Sequence, residues 1–222
     1  MKFGVLGTGS VGKTLALKLV ALGHEVMVGS RGSGNERARG WIADSGSTLR
    51  PGSFADAAAF GQLLISCTAG ITSIDALRSC SSRDLAGKVL IDVSNPLDLS
   101  QGLQSPTLTI CNEDSLGERI QREFPELRVV KALNTCNHQV MVDPGRVPGE
   151  HDLFIAGNDE AAKEDVCEVL RSFGWRSIVD LGDITAARAT EAMMLIWLRL
   201  LRRYGSADFN YKIIRAGQGA TS

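Results

Sequence analysis

The sequence has no apolar run long enough to cross a membrane. Its longest such run extends from Ala192 to Leu198, far short of the roughly 18 residues that a spanning helix requires. No basic segment followed by an apolar one precedes the strand-like opening KFGVLG, so we expect no secretory signal. These absences predict a soluble, cytoplasmic protein without a membrane partner.

Charge and cysteine are also limited. The formal net charge is -1, which gives no bulk attraction to nucleic acid. The cysteines form no CxxC pair and show no metal-ligand spacing; they are Cys67, Cys80, Cys111, Cys136 and Cys167. Their odd number favours free thiols in a reducing compartment, with neither a disulfide framework nor a bound metal.

What the sequence does contain is an alternation of strand-like and helix-like segments. Buried strands are predicted at Lys2–Leu6, Glu25–Gly29, QLLISCTAG, KVLIDVSNP and LRVVKALN. The first helix is predicted to bury the face formed by Val11, Leu15, Leu19 and Leu22. Further helices are predicted over about 36–44 and 53–60, and at SIDALRS and SLGERIQREF. The alternation predicts an α/β fold with a doubly wound, mostly parallel sheet.

The chain changes character between Pro144 and Glu150, where proline and glycine accumulate. Beyond this point HDLFIAGN, a helix over Glu160–Phe173, RSIVDLG and a long last helix form a short tail. We interpret residues 1–143 as a nucleotide-binding domain and 144–222 as a small α/β extension packed on it. The last helix is apolar on most faces from Ala192 to Leu201, which predicts burial against the sheet and a second subunit, as in a homodimer.

The loop GTGSVG lies between the first strand and the first helix, with Gly7, Gly9 and Gly12 in the spacing G-x-G-x-x-G. The first glycine permits the tight turn, the second lets the backbone approach a pyrophosphate, and the third lets the helix pack closely on the strand. The N-terminus of the helix then faces the anion. Because the motif follows a strand and opens an amphipathic helix, it predicts a dinucleotide site.

The end of the second strand indicates which dinucleotide is bound. NAD-selective members of this fold carry an acidic residue about 20 residues beyond the loop, where it binds the ribose 2′-hydroxyl. Here Ser30 stands 18 residues beyond Gly12, Arg31 follows it, and Arg37 comes shortly after. A hydroxyl and a guanidinium bind a 2′-phosphate through charge-assisted hydrogen bonds, whereas a carboxylate would repel it. We therefore predict NADP(H) as the cofactor, with Arg37 assisting.

These residues make the chain resemble the family of NADPH-dependent reductases of the deazaflavin coenzyme F420, a domain type that also occurs fused to membrane ferrireductases. The resemblance covers nearly the whole chain. It rests on GTGSVGKTLALKLVALGHEVMVGSR, VLIDVSNPL, VVKALNT, LFIAGNDEAAKEDVCEVLRSFGW and VDLGDITAARATEAM. It implies a Rossmann domain with NADP over the strand ends, and a flat acceptor stacked on the nicotinamide in a cleft covered by the last helices.

The resemblance also implies a role for individual residues. The match to the pyrophosphate loop comprises Thr8, Gly9, Ser10 and Val11, and the match to the 2′-phosphate site comprises Ser30 and Arg31. The segments after later strands match positions near the cofactor: Cys67, Thr68 and Ala69, then Ser94, Asn95 and Pro96, then Ala132. Leu133 and Asn134 match positions beside the acceptor.

Two hydride acceptors fit the sequence, coenzyme F420 and a flavin. Members that reduce the deazaflavin often carry a proline and a bulky residue after the fourth strand, where this chain has Ala69 and Gly70. Small residues leave room for a flat ring, and hydride transfer between two cofactors needs mainly positioning. The expected activity is hydride transfer between NADPH and such an acceptor.

Two other functions remain open. An NADPH-dependent reductase of a small imine or carbonyl would need a proton donor such as His138, and a non-catalytic NADP(H) sensor would need none. We interpret Asn137 and His138 as polar residues that open a short helix, and Cys67 as a small buried side chain. Met193, Met194 and Trp197 could contact an acceptor ring, but we interpret them as core or interface residues. No side chain is assigned as catalytic.

Overall fold

The computed structural model describes residues 1–32, 40–42, 48–102 and 104–216. Its main sheet contains eight strands. They are β1 (Lys2–Leu6), β2 (Glu25–Ser30), β3 (Leu49–Ser53), β4 (Leu63–Ser66), β5 (Val89–Asp92), β8 (Arg128–Ala132), β9 (Asp152–Gly157) and β10 (Ser177–Asp180). The short strands β6 (Leu97–Asp98) and β7 (Thr107–Leu108) pair only with each other.

Helices connect the strands and cover the sheet. They are α1 (Ser10–Ala21), α2 (Phe54–Phe60), α3 (Gly70–Arg78), α4 (Ser82–Leu85), α5 (Leu116–Glu123), α6 (His138–Val142), α7 (Glu160–Phe173) and α8 (Ala187–Tyr204). Short polar residues begin several of them: Ser53 caps α2 in a capping box with Asp56, and Asp159 caps α7. The described residues contain no helix that is both long and apolar enough to span a bilayer.

The strand order is β10-β9-β8-β5-β4-β1-β2-β3. Six neighbouring strands of this sheet are mutually parallel: β3, β2, β1, β4, β5 and β8. Their order is the 3-2-1-4-5-6 order of a doubly wound dinucleotide-binding fold. Strand β9 then pairs antiparallel with β8, and β10 continues parallel to β9. The predicted Rossmann sheet, mostly parallel and with an α/β extension, is confirmed. The boundary between 143 and 144 stays a prediction.

The topology places the binding edge of the sheet. Strand order reverses between β1 and β4, and ligands of such sheets bind beyond the carboxyl ends of the strands at that point. The central strands are apolar and closed to solvent on both faces, as in β1 with Phe3, Val5 and Leu6 at 0% exposure. The rigid sheet therefore holds the loops after β1, β4, β5 and β8 in fixed relative positions.

One strand was missed from the sequence, and two local predictions differ from the structure or lie largely outside it. Strand β3 has the sequence LRPGS, and it was not predicted because proline and glycine are rare in strands. The structure accommodates the proline because β3 is an edge strand. Leu22 was expected on the buried face of α1 but is 39% exposed, because it already forms the C-cap of that helix. The helix predicted over about 36–44 lies mostly outside the described residues, of which 40–42 are helical.

The last helix packs against the sheet as predicted, and its contact with a second subunit stays a prediction. Thr190, Glu191, Trp197 and Leu198 face the protein, but the opposite face of α8 is open within this chain, with Leu195 at 37% and Ile196 at 51% exposure. The segment after α8 returns to the start of β9, where the Tyr211 carbonyl accepts a hydrogen bond from the Asp152 amide. The segment that follows α8 is thus hydrogen-bonded to the sheet, while one apolar face of the helix remains exposed within this chain.

Candidate functional site: a phosphate loop and an adjoining cleft

The glycines of the first loop have three distinct environments. Gly7 has φ +127°, a conformation that other residues rarely adopt, and an added Cβ would lie 2.7 Å from the Cys67 carbonyl oxygen. A Cβ on Gly12 would lie 2.0 Å from the Gly7 carbonyl oxygen, so α1 packs directly on the turn. A Cβ on Gly9 would meet nothing within 4 Å. The packing of the fold therefore does not require glycine at position 9, and the absence of a side chain there keeps the space outside the loop open.

The N-terminus of α1 is suited to an anion. Gly9 is its N-cap and provides no side-chain cap, and the first turn carries no acidic residue. The first backbone N–H groups of a helix lack intrahelical acceptors, and the helix dipole adds partial positive charge there. Ser10 lies exposed at this end, and Val11 extends into the neighbouring cleft. The loop thus fits the pyrophosphate of a dinucleotide.

The predicted 2′-phosphate residues lie at the end of β2. Ser30 is 8% exposed and donates a 2.6 Å hydrogen bond to the Gly32 carbonyl oxygen. Arg31 is exposed and borders a pocket of 200 Å³ that Phe54, Thr72 and Asp75 also line. In the described part of the chain, Arg31 has no carboxylate partner that would compete with a phosphate. Arg37 lies outside the described residues.

We expect Arg31→Ala to weaken NADPH binding while NADH binding changes little. Loss of a charge-assisted hydrogen bond to a phosphate costs about 1.5–3 kcal/mol, or roughly 10- to 150-fold in Kd. The measurement is a titration of both cofactors, with Arg176→Ala, an exposed arginine next to β10, as the control. Equal losses for NADPH and NADH would show that Arg31 does not bind the 2′-phosphate.

A cleft of about 380 Å³ adjoins the phosphate loop. Its first side, here called the strand-end wall, comes from the segments after β4, β5 and β8: Cys67, Thr68, Ala69, Gly70, Val93, Ser94, Asn95, Asn134, Cys136 and Asn137. Its second side, here called the helical wall, comprises Met194 and Trp197 of α8. Val11, Leu97, Leu99, His138 and Met141 complete the lining. The structure therefore brings together most of the residues predicted near the nicotinamide and the acceptor.

Some predicted residues do not line this cleft. The side chains of Ala132 and Leu133 belong to the core, with 0% and 1% exposure, and Pro96 is buried behind Asn95. Leu133 has φ +65°, an unusual value for a residue with a bulky side chain. This turn carries the chain from β8 to Asn134, which does line the cleft. In the loop after β4, Gly70 is required because the backbone of the next loop approaches closely: a Cβ there would lie 2.0 Å from the Asn95 carbonyl oxygen.

Asn95 and Asn134 form a reciprocal pair in the strand-end wall. Asn95 Nδ2 donates to the Asn134 carbonyl oxygen at 2.9 Å, which fixes the orientation of the Asn95 amide. Asn95 Oδ1 consequently faces Asn134 and accepts from its Nδ2 at 3.0 Å. This leaves Asn134 Oδ1 as a buried acceptor without a partner in the described part of the chain. Buried acceptors without a partner are uncommon in folded proteins.

The titratable side chains of the cleft are poorly suited to acid–base chemistry at neutral pH. His138 opens α6 behind the N-cap Asn137, as expected, and its Nδ1 lies 2.9 Å from Thr14 Oγ1 of α1. Burial and the nearby Arg146 lower the pKa of His138, which favours the neutral imidazole. Burial, and for Cys67 also the charge of Asp92, raises the pKa of the Cys67 and Cys136 thiols, so neither is an activated nucleophile.

A buried charge cluster behind the strand-end wall was missed from the sequence. Lys131 of β8 is 1% exposed, and its Nζ lies 2.7 Å from both Asp92 Oδ2 and Glu191 Oε1. Burial opposes the charged form, but the two carboxylates raise the pKa of Lys131 above its ordinary value. The available signal was the presence of charged residues inside the apolar segments VLIDV and VVKAL and on the apolar last helix. Such residues are rarely buried unless paired.

Comparison with known proteins agrees with this geometry. The family model described as NADP oxidoreductase, coenzyme F420-dependent, matches residues 2–96. A solved structure from Arthrobacter sp. FB24, described as a putative F420-dependent NADP reductase, is 47% identical; it covers 97% of this chain and 100% of its own, with a TM-score of 0.92.

Two curated proteins extend the comparison. The F420-dependent NADP reductase of Methanocaldococcus jannaschii is 26% identical over 96% of this chain and 98% of its own. Metalloreductase STEAP3 of Rattus norvegicus is 32% identical over 87% of this chain, which spans only 36% of that longer protein. The predicted resemblance is confirmed: the chain belongs to the family of coenzyme F420-dependent NADP oxidoreductases.

Proposed function

We propose that this protein exchanges a hydride between NADPH and a flat, flavin-type acceptor, either coenzyme F420 or a flavin. The observation that carries the proposal is the position of the cleft. It begins at Val11 beside the phosphate loop and runs past Ala69, Ser94 and Asn95, where the nicotinamide end of a dinucleotide is expected. The helical wall faces these residues, so one space can hold both a nicotinamide and an acceptor ring.

The proposed cofactor contacts come from the loops after β1, β2, β4 and β5. The backbone of Thr8–Val11 would hold the pyrophosphate, and Ser30 and Arg31 would hold the 2′-phosphate. The loops after β4 and β5 would lie against the nicotinamide, where Ala69 and Gly70 leave room for a ring. When bound, NADPH supplies the hydride, so the protein needs to orient the two partners and exclude water.

The lining of the cleft favours an amphipathic planar acceptor. Its apolar side chains are Val93, Leu97, Leu99, Met141, Met194 and Trp197. Two polar atoms in this lining, Asn134 Oδ1 and Trp197 Nε1, are buried without partners in the described residues. One is an acceptor and the other a donor, which complements an amide-like edge carrying an N–H beside a carbonyl. The pyrimidine rings of flavins and deazaflavins carry such an edge.

The absence of an activated acid also favours this acceptor class over an imine or carbonyl. His138 is the one histidine in the described lining, and its pKa is lowered. A reductase of imines or carbonyls needs a proton donor at neutral pH, whereas transfer to a flavin-type ring places the redox chemistry in the two cofactors.

The assembly and compartment are also proposals. The open apolar face of α8, with Leu195 and Ile196, fits a contact with a second copy in a homodimer, which sedimentation or light scattering would detect. The cysteines of the described residues are all free, which fits a reducing cytoplasm.

The deciding experiment is steady-state NADPH oxidation with coenzyme F420, with FMN and with no acceptor. We expect turnover with at least one of the two flavin-type acceptors and only background oxidation without one. NADPH binding with no turnover in any assay would support a sensor. Turnover with a cyclic imine or a ketone, but with neither flavin-type acceptor, would contradict the proposed function.

A further inference from the structure

The cluster around Lys131 uses every hydrogen bond that its ammonium group can donate. The Nζ atom donates to Asp92 Oδ2, to the Ser94 carbonyl oxygen and to Glu191 Oε1, each at 2.7 Å. An ammonium group has three donors, so this one is satisfied without water. Asp92 and Lys131 have side chains with 0% exposure, and Glu191 has 2%.

One side of the cluster shapes the strand-end wall. Asp92 Oδ1 accepts hydrogen bonds from both the backbone N–H and the hydroxyl of Ser94, while Lys131 holds the Ser94 carbonyl oxygen. Ser94 is therefore fixed through its N–H, its hydroxyl and its carbonyl group. Asn95 follows directly and reaches Asn134, so the Asn95–Asn134 pair is built on a residue that the cluster immobilises.

The other side of the cluster holds the helical wall. Glu191 lies on α8 three residues before Met194 and six before Trp197, which places all three near one face of the helix. Its two carboxylate oxygens also accept from the Leu116 and Gly117 amides at 2.9 and 3.0 Å, at the N-terminus of α5. Glu191 thus fixes α8 to the sheet through Lys131 and to a second helix through these amides.

We infer that Lys131 is a positioning residue that sets the separation of the strand-end wall from the helical wall, and with it the alignment of the acceptor ring on the nicotinamide. A single ammonium group joins Ser94 of the strand-end wall to Glu191 of α8, the helix that carries the helical wall. The inference rests on the proposed function, because alignment matters only if a ring is held between the walls. Misplacement of reacting groups by about 1 Å can cost 100-fold in rate.

The test is the triple variant Lys131→Met/Asp92→Asn/Glu191→Gln. Removing Lys131 alone would leave two buried carboxylates unpaired and risk unfolding. The triple variant has no buried charge in the cluster. The amide oxygen introduced at position 92 can still accept from Ser94, and the one introduced at position 191 can still accept from one of the two α5 amides. The ammonium that links the two walls is lost, together with one hydrogen bond between α8 and α5. We expect hydride transfer at saturating substrate to fall by roughly 10- to 100-fold, with NADPH Kd within about threefold.

A second readout needs no cofactor. In the unliganded triple variant, hydrogen exchange should accelerate in residues 93–97 and in α8, while β1 and β2 stay protected. The matched control is Lys163→Met, which removes another buried lysine between two carboxylates, Asp180 and Glu160, away from the cleft. It should lower thermal stability without changing hydride transfer or exchange in 93–97.

The results that would overturn the inference differ from the result that would contradict the proposed function. Unchanged turnover and exchange in the folded triple variant would overturn the inference, as would an equal loss of turnover in Lys163→Met. Should the triple variant not fold, the double variant Lys131→Met/Asp92→Asn removes the same ammonium and leaves Glu191 bound to the two α5 amides, with the same expectations and the same contradictory outcome. A wild-type protein that turns over neither flavin-type acceptor would contradict the proposed function instead, while the exchange measurement would still report whether Lys131 joins the walls.

Discussion

Replacing Gly9 by valine should abolish binding of both NADPH and NADH while the protein remains folded. A Cβ at Gly9 meets nothing within 4 Å, so the side chain fits the unliganded protein. The backbone there has φ −70° and ψ −175°, which valine adopts readily. The added methyl groups would occupy the space that the pyrophosphate needs beside the helix N-terminus. Isothermal titration with both cofactors, together with circular dichroism, measures the effect.

Gly12→Val provides the contrast for this result. A Cβ at Gly12 would lie 2.0 Å from a backbone oxygen, so this variant should lose thermal stability as well as binding. Retained micromolar NADPH affinity in folded Gly9→Val would refute the assignment of the phosphate loop.

Ala69→Trp should raise the acceptor KM steeply and leave NADPH affinity within a few-fold. Ala69 lies exposed on the strand-end wall. As the N-cap of α3 it has φ −60° and ψ 136°, a backbone conformation that tryptophan also adopts. An indole placed there would fill part of a cleft of only 380 Å³, which the acceptor ring is proposed to share with the nicotinamide, while the pyrophosphate and 2′-phosphate contacts of NADPH lie outside it. The measurement is kcat/KM with the accepted flavin or deazaflavin, beside a titration of NADPH.

Two variants make this test specific. Ile71→Trp adds an indole two residues further along the chain, at a site that is 65% exposed and outside the cleft, and should leave activity unchanged. His138→Ala should cost far less than the roughly 100-fold expected on losing a general acid, because burial and the nearby Arg146 lower the pKa of this imidazole. An inactive His138→Ala together with a normal Ala69→Trp would favour an imine or carbonyl reductase.

The parts of this protein that were predictable from sequence are those whose signals are local. The GTGSVG loop requires glycine at positions set by one turn and one helix start, so Gly7, Gly9 and Gly12 identify it without any distant contact. Ser30 and Arg31 can likewise be recognised in the position where NAD-selective proteins carry an acidic residue, because that position lies at a nearly constant distance from the loop within one βαβ unit. Apolar strands between helices predicted a doubly wound, mostly parallel sheet.

Tertiary structure decided the features that depend on which strands and helices become neighbours. Asn95 meets Asn134, and Asp92 meets Lys131, only because β5 pairs with β8 in one register, with Asp92 opposite Lys131. Glu191 joins them only because α8 packs behind this edge, which also leaves Leu195 and Ile196 outside. Such pairings depend on chain segments far apart in sequence, and a local pattern carries no information about them. The sequence by itself thus determined the cofactor loop and the fold, while packing determined the walls of the cleft and the charge cluster that joins them.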